Sequence, residues 1–70
     1  MSARETQVGG DHYSRMNIQP IEYCMANSMN AIQAHIIKYI TRYPYKGQAI
    51  DDLRKIQHLC DLEIERLEGE

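Results

Sequence analysis

Seventy residues with eight Lys and Arg against ten Asp and Glu give a formal net charge of −2. A chain of about this size forms one domain with a small core, because roughly 60 residues bury only about 60 % of the surface the unfolded chain exposes. The charge argues against a general DNA-binding protein, in which clustered cations supply much of the affinity, and the longest apolar run is far short of the ~20 residues that span a bilayer.

The distribution of charge says more than its sum. Residues 1–47 carry five cations against three acids, and residues 48–70 carry three cations against seven acids. The basic first part leaves room for one small anion site. Cys24 and Cys60 stand in no CxxC spacing, and Met1 opens a polar segment rather than a signal peptide. Both cysteines therefore read as reduced thiols in a cytosolic protein. Without a disulfide, a chain this small reaches enough buried surface most readily by oligomerising.

Residues 1–17 lack helical periodicity and hold Gly9, Gly10, Ser14 and Asn17, which predicts an irregular N-terminal arm ahead of a helical domain at 18–70. A first helix is predicted to start at Pro20, where the missing N–H costs nothing, with Glu22 in the positive first turn, and to end by Asn27–Ser28. Asn30 is placed to cap a second helix from Ala31 to about Tyr43, whose Ile32, Ile36, Tyr39, Ile40 and Tyr43 recur at three- and four-residue spacing. Pro44 stops it.

After a turn at Tyr45-Lys46-Gly47, a long third helix is predicted from about Gln48 to Leu67, with Asp51 and Asp52 stabilising its N-terminus. Its apolar stripe of Ile50, Leu53, Ile56, Leu59, Cys60, Leu62, Ile64 and Leu67 is wider than a coiled-coil seam. That width suits two surfaces, one for helix 2 and one for a second protomer. The predicted fold class is thus all-α: a small three-helix protomer with an irregular arm, assembled as a homo-oligomer through helix 48–67. Met16, Met25 and Met29 read as adaptable core filler.

Two constellations could carry chemistry. In IIKYITRYPYKG, Lys38 and Arg42 are four residues apart and share a helix face, Tyr39 and Tyr43 share the adjacent one, and Lys46 follows. Cations beside phenol rings can hold a phosphate and border a base, since Arg offers a planar fork and the ring an apolar wall. The same spacing equally fits tyrosines at the core edge with Lys38 and Arg42 extending to water. In VGGDHY, Gly9 and Gly10 could expose backbone N–H groups to a ligand, and Asp11 could orient His12 or bind a hydrated magnesium ion. A capped turn in which Asp11 bonds its own backbone fits as well. Neither GxGxxG nor GxxxxGK[ST] is present. His35 and His58 have no HExxH or CxxC neighbour, so zinc is not expected, and buried or half-exposed imidazoles are.

In order along the chain, VGGDHY, IQPIEY, IIKYITRYPYKG and DDLRKIQHL resemble a family of small bacteriophage proteins catalogued as a domain of unknown function, whose described member in a T-odd coliphage is a nucleotide kinase lacking any P-loop. The similarity covers roughly residues 8 to 62. It implies a ligand loop at Gly9, Gly10, Asp11, His12 and Tyr13, with Asp11 and His12 as catalytic residues, and phosphate or nucleotide contacts at Lys38, Tyr39, Arg42, Tyr43 and Lys46. It also implies action in the cytoplasm of an infected bacterial host.

The resulting expectation is a nucleotide-binding, nucleotide kinase-like protein with an inter-subunit site, using Mg2+ if it is an enzyme. A non-catalytic sponge for linear or cyclic nucleotide signals of host immunity is the alternative, and a protein-binding inhibitor docking through the acidic third helix is a third. None of these involves a membrane or sequence-specific nucleic acid.

Overall fold

A computed structural model describes residues 16–70, which form three helices, α1 (Pro20–Ala26), α2 (Ala31–Arg42) and α3 (Ala49–Glu68), with no strand among the described residues. The helices fall where periodicity and the Pro20, Asn30 and Pro44 signals placed them, to within one residue at each end.

Local chemistry explains each boundary. α1 opens with Pro20 at its first position after an extended Gln19. It closes in a Schellman arrangement: Met29 N–H donates to the Cys24 carbonyl at 2.9 Å and Ser28 N–H to the Met25 carbonyl at 3.3 Å. Ser28 takes the left-handed position of that motif, φ 53°, where glycine is the usual occupant. α2 begins with a reciprocal capping box, in which Gln33 N–H donates to the Asn30 side chain and Asn30 N–H to the Gln33 side chain, both at 2.9 Å. The α2–α3 turn uses Gly47 at φ 76°, a conformation open to glycine without a Cβ penalty. In the last turn of α3, Arg66 donates to Glu63 at 2.6 Å and to Glu70 at 2.8 Å, and this hydrogen bond from Arg66 holds the Glu63 carboxyl below its usual range.

α2 lies in the middle, touching α1 on one side and α3 on the other, while α1 and α3 do not meet. With α1 and α3 each packed on α2 and not on one another, the three helices enclose little between them. Among the described apolar side chains only Cys24 is buried, whereas Ile50 is 63 %, Ile64 53 % and Leu67 53 % exposed. The α3 stripe therefore divides as its width suggested, with one part against α2 and the other open. Met25, expected as core filler, is 74 % exposed, because α1 has a neighbour on one side alone. No described helix is long and apolar enough to cross a membrane.

Candidate functional site

Asp52 is the most buried residue described, with no accessible surface. Its place in the first turn of α3 predicted a helix-end role; instead its side chain turns toward α2. The Arg42 guanidinium grips it with both arms, Nε to Oδ2 at 3.3 Å and Nη2 to Oδ1 at 3.2 Å, and Lys55 Nζ lies 3.9 Å from Oδ1. This is the two-armed carboxylate recognition that arginine's planar fork allows and lysine's point charge does not.

The same cations surround Tyr39. Arg42 lies 4.7 Å, Lys55 5.2 Å and Lys38 5.7 Å from the centre of its ring, all within the ~6 Å at which a cation is drawn to a ring's negative face. His35 completes the surroundings, edge-on at 6.5 Å between ring centres and 82° between planes. Three cations with one carboxylate leave positive charge in excess. Spacing had suggested that Lys38, Tyr39 and Arg42 act together, and the fold does bring them together. It adds Lys55 from α3.

Beside this cluster, between α2 and α3, runs an open groove of about 580 Å3 lined by His35, Tyr39, Asp51, Arg54, Lys55, His58 and Leu59. A second, mainly apolar slot of about 300 Å3 lies between α1 and α2, lined by Gln19, Pro20, Ile21, Cys24, Ala34, His35 and Lys38. His35 borders both. Both volumes fall in or near the roughly 300–1,000 Å3 of small-molecule sites. Tyr43 and Lys46, also singled out in the sequence, are half-buried and line neither opening. Gly9, Gly10, Asp11, His12 and Tyr13 lie outside the described residues.

Sequence reasoning missed Arg54, Lys55 and both histidines. His35 and His58, expected buried or half-exposed, are exposed, and both line the groove. The signal was present in α3 as Asp51, Arg54, Lys55 and His58, a polar row at i, i+3, i+4 and i+7 opposite the His35–Tyr39 face of α2. It passed unnoticed because the apolar stripe dominated the pattern. Among the described residues no group of three or more His, Cys, Asp or Glu side chains is arranged to hold a metal ion.

The fold and grooves define a small all-helical protein with a cationic, aromatic-lined opening. Residues 8–61 match a family of proteins of unknown function, DUF3310, and the chain belongs to that family. No curated protein and no solved structure matches it.

Proposed function

We propose that this protein binds a nucleotide across the two adjoining openings, with phosphates in the α2–α3 groove and the base in the apolar slot between α1 and α2. The observation that carries this reading is the convergence of Lys38, Arg42 and Lys55 on Tyr39 beside a groove that adds Arg54 and two imidazoles. Phosphate oxygens need several donors at differing angles, and Lys38, Lys55 and Arg54 offer ammonium and guanidinium donors from two helices. Arg42, gripped by Asp52, acts in this reading by holding Tyr39 and the α2–α3 spacing. The slot's Pro20, Ile21 and Cys24 give the base apolar walls.

Within this reading the reaction is phosphoryl transfer of the nucleotide-kinase type, in the cytoplasm of a phage-infected bacterium. Transfer requires donor and acceptor in line with their charge neutralised. One groove of this size holds one nucleotide, so the second is supplied at a site shared between subunits of a homo-oligomer, with the Gly9–Tyr13 segment as its catalytic loop and Mg2+ on the phosphates.

Sequestration without turnover is the second reading, and the Asp52 geometry favours it: among the described residues the one fully buried carboxylate is occupied by Arg42 and Lys55 and is not placed to take a proton from an acceptor hydroxyl. Incubation with mono-, di-, tri- and cyclic nucleotides, ATP and magnesium, followed by chromatography of the solution and of the heat-released bound fraction, tests both. New phosphorylated products establish the kinase. An unaltered bound nucleotide without products establishes the sponge, and an empty protein in an unchanged mixture overturns nucleotide binding altogether.

A further inference from the structure

α3 carries a second pattern that neither groove uses. Ile50, Leu53, Gln57, Cys60, Ile64 and Leu67 follow one another at spacings of three, four, three, four and three, the alternation of a coiled-coil seam. They form a strip beside the side of α3 that carries the buried Asp52, and all are exposed except Leu53, which is half-buried where the strip borders that side. The less exposed Ala49, Asp52, Ile56, Leu59 and Glu63 occupy the adjoining side, so apart from Leu53 the strip is left exposed within the protomer.

The occupant can be argued from the seam itself. Read from either end it runs apolar, apolar, small or polar, small or polar, apolar, apolar, so it is self-complementary about a point between His58 and Leu59. Two copies related by a two-fold axis through that point would run antiparallel and stack Ile50 on Leu67, Leu53 on Ile64 and Gln57 on Cys60, each layer formed twice over roughly 25 Å of helix. Charge selects the same direction. Arg54 and Asp61 flank the seam on one edge, both are exposed, and neither makes an ion pair among the described residues. Antiparallel pairing sets Arg54 of each copy against Asp61 of the other. Parallel pairing would instead bring Glu63 of one copy toward Glu68 of the other, a like-charge contact, and would crowd the acidic C-terminal halves together.

We infer that a second copy of this chain covers the open face of α3 in antiparallel register, through Ile50, Leu53, Gln57, Cys60, Ile64 and Leu67, with paired Arg54–Asp61 contacts on the rim. This rests on the assembly part of the proposed function and adds the surface and direction. It covers apolar side chains that the protomer leaves exposed, Ile50, Ile64 and Leu67 among them, since stable domains bury the apolar face of each element against another. It also places the rim beside the groove, because Arg54 belongs to both.

The test uses the full chain with Cys60→Ser to remove the exposed thiol, and adds Ile50→Cys or Leu67→Cys in separate proteins. After mild oxidation, non-reducing electrophoresis is expected to show a disulfide-linked dimer in the mixture of the two proteins and none in either alone, because only unlike positions meet. Self-crosslinking of either single variant indicates parallel chains and overturns the direction while keeping the assembly. A dimer by light scattering with no crosslink even in the mixture overturns the seam. A monomeric wild-type chain at high concentration overturns the assembly reading itself. Charge reversal gives an independent check: Arg54→Asp or Asp61→Arg alone is expected to weaken the dimer by about tenfold, since each change turns two attractive rim contacts repulsive, and the double variant to recover it. A double variant no better than the singles counts against antiparallel pairing.

Discussion

Arg42 and Asp52 are joined by two hydrogen bonds, and Asp52 is sealed from solvent while Arg42 keeps 14 % of its side-chain surface. The pair ties the end of α2 to the start of α3 across a ten-residue separation, and with Gly47 it fixes the angle at which the groove opens. The charge on Asp52 is tolerable because its partners are in place. Removing one partner leaves the other stranded, which is the costly case for buried ions.

Asp52→Ala is therefore expected to lower stability by about 3–5 kcal/mol, the range for breaking a buried pair, as read by urea denaturation at fixed protein concentration. Arg42→Lys should recover only part of the loss seen in Arg42→Ala, since an ammonium makes one of the two contacts. A full recovery would mean that charge rather than the fork holds the two helices.

Ser28 should be improvable. It occupies the left-handed position with φ 53°, a conformation that costs a residue with a Cβ about 1–2 kcal/mol and glycine almost nothing. Ser28→Gly is expected to raise stability by up to about 1 kcal/mol once the added freedom of the unfolded chain is subtracted. A drop in denaturation midpoint would show that the Ser28 hydroxyl matters more than its backbone.

Asn30 should not be replaceable. Its side chain and that of Gln33 satisfy two N–H groups at the start of α2, and Asn30→Ala is expected to cost about 1 kcal/mol. Gln33→Ala should cost less, because the Asn30 side-chain bond survives it. Equal losses would indicate that the box works only as a unit.

Arg54→Ala and Lys55→Ala should each weaken nucleotide binding by about 1.5–3 kcal/mol, the range for hydrogen bonds to charged groups, while leaving helix content unchanged. Arg54 also borders the α3 seam, so Lys55 is the cleaner probe, and its affinity should be measured where the oligomeric state matches the wild type. Tyr43→Phe and Lys46→Ala, at positions lining neither groove, should change binding little. The reverse ranking would move the site to the turn after α2.

The helices were legible because their signals are local: Pro20 at a helix start, Asn30 as a cap, Pro44 as a stop and three-four spacing between them. The grouping of Lys38, Tyr39 and Arg42 was legible for the same reason, as they share one helix. What α3 contributes was not. Asp52 reads in sequence as an ordinary acid in a first turn, and only the return of the chain at Gly47 shows that Arg42 waits opposite. Arg54, Lys55 and His58 likewise become a groove wall only once α2 is beside them. The breadth of the α3 stripe did announce two surfaces, but the Ile50 to Leu67 seam stood out only after the residues facing α2 had been subtracted from it.

Nucleotide binding in the α2–α3 groove is tested by recording the backbone and side-chain NMR signals of the protein while a nucleotide found in the bound fraction, or ATP if none is found, is added. The changes are expected to concentrate on His35, Lys38, Tyr39, Arg54, Lys55 and His58, with smaller ones at Ile21 and Cys24 and none along the outer face at Ile64 and Leu67. Signals that stay fixed across the groove residues, or that move only along the outer face of α3, would contradict it.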